Sequence, residues 1–297
     1  MNLLITGAWS EAKENMKVLR EKGHTVYFMQ YETDELPCEY SWVEGVICNG
    51  LFLVHPIELF PNLRYIQLTS AGFDRVPVEI VSKRGIELKN AHGVYSIPMA
   101  EFAVGGVLQL YKQARFFGEN QAVHAWKKHR GLGELFGKTV CVVGCGNVGT
   151  ECAKRFYAFG CNVLGVDLLP REDAYYQKMV DIDELESILP QADVLVLTLP
   201  LTEKTKHLMN TKRIRMLKKG AVLVNIARGA VVDTEALINA GAHLGGAVLD
   251  VFEEEPLNEG SPLWNMENVL VTPHNSFVGE HNQERLKQVI FKNLEGR

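Results

Sequence analysis

Five strand-forming residues, Thr139-Val140-Cys141-Val142-Val143, run directly into Gly144-Cys145-Gly146-Asn147-Val148-Gly149, and a helical pattern continues to about Phe159. A Gly-x-Gly-x-x-Gly spacing between a strand and a helix leaves few folds open. The first glycine allows the tight turn, the second lets a ligand approach the backbone, and the third lets helix and sheet pack closely, while the helix N-terminus offers free N–H groups to an anion. The next strand-like run, 162–167, ends in Asp167, 18 residues beyond Gly149. A carboxylate there accepts from both ribose hydroxyls and repels a 2′-phosphate, so the expected ligand is a dinucleotide, NAD in preference to NADP. Arg171 is a cation near the same edge.

Around this unit the chain repeats strand and helix signals. Strand-like runs at 2–6, 25–29, 45–49, 65–69 and 86–88 alternate with polar helical stretches such as 10–22. After a long apolar helical stretch, 97–117, six more runs begin at Lys138, Asn162, Ala192, Ala221, Leu244 and Val269. Such alternation specifies parallel sheets covered on both faces. The expected fold is α/β with two doubly wound parallel-sheet domains: a flavodoxin-like domain, 1–94 completed by 276–297, to which the resemblance given below assigns the substrate, and a Rossmann NAD-binding domain, 95–275. The length of 297 residues suits two cores. The helix-like 280–294 has no strand to accompany and is expected to pack back on the first domain.

Several ordered motifs follow the glycine loop: Leu199-Pro200-Leu201-Thr202 with Thr205, Asn225-Ile226-Ala227-Arg228-Gly229, Asp250-Val251-Phe252 leading to Glu255-Pro256, and Thr272-Pro273-His274. Together with the glycine loop and Asp167, they resemble the D-isomer-specific 2-hydroxyacid dehydrogenase family over nearly the whole chain. The family includes glyoxylate/hydroxypyruvate reductases, D-lactate dehydrogenases and phosphoglycerate dehydrogenases. The resemblance implies an NAD-dependent oxidoreductase that moves a hydride between nicotinamide and C2 of a 2-keto or D-2-hydroxy acid. It makes Arg228, Glu255 and His274 the catalytic residues. It sets Asn147, Val148, Leu199, Pro200, Thr205, Ile226 and Ala227 along the dinucleotide, beside the glycines, and Asp250 at the nicotinamide carboxamide. Thr69-Ser70-Ala71-Gly72 resembles the loop whose N–H groups meet the substrate carboxylate, so Ser70, Ala71 and Gly72 join Leu51 and Arg228 as substrate contacts. Residues 90–93 with Ala100 and Glu101 match the hinge, and the family is dimeric.

The chemistry stands on the residues themselves. A guanidinium grips a carboxylate bidentately and stabilises charge developing on a carbonyl oxygen, a role open to Arg228. That oxygen also needs a proton, and histidine, which titrates near neutrality, suits His274 to deliver it. Glu255 is expected to orient the imidazole and favour its charged form. After His274 the family commonly has small residues, whereas Phe277 brings a large ring close. Leu51 and Phe52 would favour an apolar or small substrate tail, or they pack as ordinary core. Formate dehydrogenases of the wider family carry glutamine where Glu255 stands.

Composition removes other classes. Lysine and arginine total 31 against 36 acidic residues, a net charge of −5, with no global basic field for nucleic acid. The basic run 204–219 reads as a solvated face. Apolar runs are strand-length, so no membrane span is expected. The N-terminal run lacks the basic region of a secretion signal, and the six cysteines lack paired spacing, so free thiols, no metal and a cytoplasmic location are expected. Two alternatives share the fold: an NAD(H)-sensing corepressor-like interaction protein, and a dehydrogenase for another small acid.

Overall fold

The computed structural model describes residues 1–296. The chain forms two compact units, Met1–Tyr95 joined by the segment from Gly279, and Ser96–Val278. In the first, β1 (Asn2–Thr6), β2 (Thr25–Met29), β3 (Gly45–Cys48), β4 (Tyr65–Leu68) and β5 (Glu87–Lys89) form a parallel sheet in the order β2-β1-β3-β4-β5. The inner strands β3 and β4 are buried along their whole length, as their apolar runs require, while β2 and β5 are half-exposed edges.

Helix Asn282–Leu294 packs on this sheet. Its Leu286, Ile290 and Leu294 recur every fourth residue, forming one stripe buried against Leu3, Ile5 and Trp9. Each such side chain contributes about 1.5–3 kcal/mol by leaving water. The Asn293 amide donates to Gln67 Oε1 at 2.9 Å, and the rings of Trp9 and Phe291 meet edge to face at 6.1 Å.

The second unit holds β6 (Thr139–Val143), β7 (Asn162–Asp167), β8 (Lys178–Asp181), β9 (Val194–Leu197), β10 (Val222–Asn225), β11 (Gly246–Leu249) and β12 (Val269–Val271). All are parallel, in the order β12-β11-β10-β9-β6-β7-β8. Both sheets are therefore doubly wound, as the alternating runs required. The chain leaves β6 for β7 and β8 on one side, then crosses to β9 on the other. The strand order reverses between β6 and β9, where α/β sheets open a ligand crevice at their carboxyl ends.

Two elements differ from the sequence reading. The strand β8 is a seventh strand where six were expected. It is short, carries Lys178 and Asp181 at its ends, and pairs on one side only, so its pattern is too polar to stand out. The helical stretch 97–117 is two helices, Ser96–Tyr111 and Ala114–Ala122. Gln113 turns left-handed between them, at φ 53°, with its N–H and side-chain amide both donating to the Leu110 carbonyl. That closure ends the first helix as a C-terminal cap does. The first helix buries Ala100, Ala103 and Val107 in the core of its unit, so its apolar character is largely that of packing. No helix among the described residues is long and apolar enough to cross a membrane.

Candidate active site

Because the seven strands of the second unit run parallel, their carboxyl ends share one edge, and the expected motifs all leave the sheet there. The loop after β6 turns on Gly144, at φ 94°, and a Cβ at this position would lie 2.7 Å from Leu199 N, which follows β9. At Gly149 a Cβ would lie 2.1 Å from the Gly144 carbonyl, so that glycine lets the helix Asn147–Ala158 close onto the turn. Gly146 is different, because a Cβ there would meet nothing of the protein within 4 Å. Its lack of a side chain serves nothing in the chain's own packing and suits close approach from outside. The loop therefore fits a dinucleotide pyrophosphate at a helix N-terminus.

Asp167, at the end of β7, accepts from Cys145 N at 2.6 Å through Oδ2 and from Leu169 N at 3.1 Å through Oδ1. A carboxylate has about four acceptor sites, so both oxygens keep capacity for hydroxyl donors. The Arg171 guanidinium folds back onto the glycine loop, donating to the Cys145 carbonyl at 2.6 Å. The Thr198 hydroxyl donates to the Gly144 carbonyl at 2.6 Å, tying β9 to this loop. Pro200 follows, its carbonyl taking the Thr205 hydroxyl at 2.8 Å, while Val148 is half-buried.

After β10, Asn225 organises the turn Ile226-Ala227-Arg228. Its Oδ1 accepts from Ala227 N at 3.1 Å, and its amide donates to the Arg228 carbonyl at 3.0 Å. Ile226 and Ala227 are buried and the Arg228 side chain is half-buried, with Nη1 donating to the Ala227 carbonyl. A Cβ on Gly229 would fall 1.8 Å from the carbonyl carbon of Phe252, so the loop carrying Arg228 lies backbone to backbone against the loop carrying Glu255. His207 and Glu253 brace the same junction at 2.8 Å. Burial would raise the Glu253 pKa, but hydrogen bonds from Thr234 and His207 hold it below the usual carboxylate range.

Glu255 Oε2 faces His274 Nδ1 at 2.8 Å, and its Oε1 accepts from Phe252 N at 3.0 Å. His274 sits left-handed, at φ 50°, with its N–H donating to the Asp250 carbonyl at 2.8 Å. A non-glycine residue in that region costs free energy that the surroundings must offset. Here Asp250 does so. Its carboxylate accepts from Thr272 Oγ1 at 2.7 Å, Asn275 N at 2.7 Å and Ser276 N at 2.9 Å. Asp250, expected at the cofactor's carboxamide, is fully buried, and its three donors all come from the loop that presents His274. The Phe277 ring stands edge-on to the His274 ring, 6.1 Å between centroids.

In the first unit, the carbonyls of the 69–72 loop are all engaged. Tyr95 Oη donates to Thr69, Ala91 N to Ser70 at 2.9 Å, the Asn90 amide to Ala71 at 2.6 Å, and Ser70 Oγ to Gly72 at 3.1 Å. The Leu51 side chain, expected at the substrate, is fully buried in a core with Ile57 and Phe60, so it has only backbone groups to offer; Phe52 is half-buried beside it. Five of the six cysteines are buried and all six are free. Burial pushes the Cys145 and Cys161 thiols up to about 11 and Cys152 up to about 12. The run 204–219 is not one helix, since the helix there is only Thr211–Met216, and its Lys212 and Arg213 pair with Glu186.

Sequence comparisons place this geometry in a family. Residues 104–276 match the model of the D-isomer specific 2-hydroxyacid dehydrogenase NAD binding domain. A glyoxylate reductase of Korarchaeum cryptofilum is 34% identical over 261 residues, covering 83% of this chain and 79% of the relative. The crystal structure of D-lactate dehydrogenase from Aquifex aeolicus, complexed with NAD and lactic acid, superposes with a TM-score of 0.82 at 26% identity, covering 99% of this chain and 96% of the other. A family member from Xanthobacter autotrophicus, solved with NADPH, gives a TM-score of 0.78 at 27% identity, covering 98% and 95%. With a doubly wound sheet, a glycine loop fitted to a dinucleotide and a histidine–glutamate pair at the same strand edge, the chain belongs to the D-isomer specific 2-hydroxyacid dehydrogenases, which are nicotinamide-dependent oxidoreductases.

Proposed function

We propose that this enzyme interconverts a 2-keto acid and its D-2-hydroxy acid with NADH as the preferred cofactor, its site residues being Arg228, Glu255 and His274. The observation that carries the reading is the Glu255–His274 pair at 2.8 Å, on a loop seated by Asp250 and at the same sheet edge as Arg228. Bound on the glycine loop, nicotinamide supplies the hydride. Arg228 holds the substrate carboxylate and steadies negative charge on the carbonyl oxygen. Glu255 accepts a hydrogen bond from Nδ1–H of the charged ring, whose Nε2–H on the far side gives its proton to that oxygen and leaves a neutral imidazole. The family resemblance supports the first unit as the substrate domain, with the N–H groups of its 69–72 loop suited to a carboxylate.

Asp167 supports the preference for NADH, and so does Arg171, whose guanidinium is committed to the glycine loop. Asp167→Ala should weaken NADH binding about 10-fold or more, the loss of one or two hydrogen bonds to a charged group, and weaken NADPH much less. Equal losses for both cofactors, measured by fluorescence titration, would remove that assignment. The six free thiols support a reducing, cytoplasmic setting. The dimeric habit of the family supports a homodimer.

The deciding experiment is NADH oxidation across glyoxylate, hydroxypyruvate, pyruvate, phenylpyruvate and branched 2-keto acids. Turnover of at least one acid is the expected result. Tight NADH binding with no turnover of any acid would point to a substrate outside this panel or to a sensor.

A further inference from the structure

We infer that Glu32 is a positioning residue for the substrate: its carboxylate sets the shape of the loop 49–52 at the carboxyl edge of the first unit's sheet. Glu32 follows β2, and its two oxygens collect three donors from elsewhere in the sequence. Oε1 accepts from the Thr6 hydroxyl at 2.7 Å and from Asn49 N at 2.7 Å, and Oε2 accepts from Gly50 N at 2.6 Å. Thr6 ends β1, and Asn49 and Gly50 follow β3, so one half-buried carboxylate joins the ends of three strands.

The location gives the bond set its meaning. The strand order β2-β1-β3 means that the chain crosses from one side of β1 to the other, and a doubly wound sheet opens its ligand crevice at such a reversal. Backbone N–H groups gathered there suit an anion. In this protein the anion is the chain's own. With the Asn49 and Gly50 N–H groups taken, the residues that follow are set: Leu53 N closes onto the Gly50 carbonyl at 3.0 Å and His55 N onto the Leu51 carbonyl at 2.9 Å. Leu51 then anchors in the core, and the Phe52 ring meets Phe60 edge-on at 5.9 Å. Thr69 N donates to the Cys48 carbonyl at 2.9 Å, which brings the start of the 69–72 loop alongside. Glu32 thus fixes the relation of the two first-unit loops that meet the 2-keto acid, an inference that rests on the function proposed above.

The test uses the full-length chain with Glu32→Ala and Glu32→Gln, reading steady-state kinetics, NADH binding and amide hydrogen exchange. In Glu32→Ala, KM for the preferred 2-keto acid should rise about 10-fold or more, which is about 1.4 kcal/mol. Its kcat and NADH affinity should hold within about 3-fold, a difference under 1 kcal/mol. Glu32→Gln should recover part of the loss, because its amide oxygen still accepts from the loop. Exchange at Asn49 and Gly50 should accelerate in Glu32→Ala and less in Glu32→Gln. An unchanged KM, equal effects of Gln and Ala, or a loss of kcat and NADH affinity together with KM would overturn the inference. The exchange readout needs no substrate, so accelerated exchange with an unchanged KM would sink the role of Glu32 alone. A wild-type chain inactive on every 2-keto acid would sink the function reading, and this role with it.

Discussion

Replacing His274 by glutamine is expected to lower kcat for 2-keto acid reduction by about two to four orders of magnitude, the usual worth of a positioned general acid. Glutamine keeps a polar side chain in the left-handed site and can still donate to Glu255 Oε2, so the Asp250 scaffold and the Phe277 packing survive. What disappears is a ring that can hold a proton at Nε2 while Nδ1 faces Glu255. The glycine loop and Asp167 belong to β6 and β7, well separated in the sheet order from β12, which presents His274, so NADH affinity should change little. Stopped-flow single turnovers with parallel NADH titration check both halves. A variant with wild-type kcat would take His274 out of the reaction, and one that no longer bound NADH would show a structural lesion instead.

Gly229→Ala should be nearly as damaging, although residue 229 itself carries no functional group. The added carbon would sit 1.8 Å from the Phe252 carbonyl carbon and 2.3 Å from Glu253 N, both backbone atoms that cannot turn aside as a side-chain end can. Either the Arg228 loop or the Glu255 loop must move. A misplacement of about 1 Å in a catalytic constellation costs roughly 100-fold in rate, and relieving such overpacking costs about 1–3 kcal/mol in stability. The expected result is a fall of about 100-fold or more in kcat/KM with a lowered Tm, the loss of Tm exceeding that of an alanine at Gly146, where a Cβ meets nothing of the protein. A Gly229→Ala enzyme with unchanged kcat/KM would mean that the two loops need not be in register.

Much of this was legible in the sequence because it is written in local patterns. Apolar strand runs, the glycine spacing, and the helix starts at Asn210 and Asp233 are read within a few residues, and those two side chains do cap, accepting from Arg213 N and Ala236 N. The resemblance supplied the pairing of Glu255 with His274, 19 residues apart, which spacing alone does not announce. Other features have no local signature. The strand β8 is a polar edge with nothing periodic about it, and Gln113 ends a helix without glycine or proline. His207 and Glu253 meet across 46 residues. Asp250, an acid at the end of an apolar strand, reads as a ligand contact, and nothing local in the sequence announces its second part, three donors from the His274 loop, two of them backbone N–H groups.

The first unit is interrupted in sequence by the second, and this has a consequence for biosynthesis. Ser96–Val278 is contiguous, so everything its core needs is available once that stretch has left the ribosome. The first unit, although made earlier, has its Leu3, Ile5 and Trp9 face covered by Leu286, Ile290 and Leu294, which are synthesised nearly two hundred residues after Tyr95. The order of completion is thereby inverted relative to the order of translation. For as long as the second unit is being made, the nascent first sheet presents an uncovered apolar face, the surface that chaperones bind and aggregation exploits.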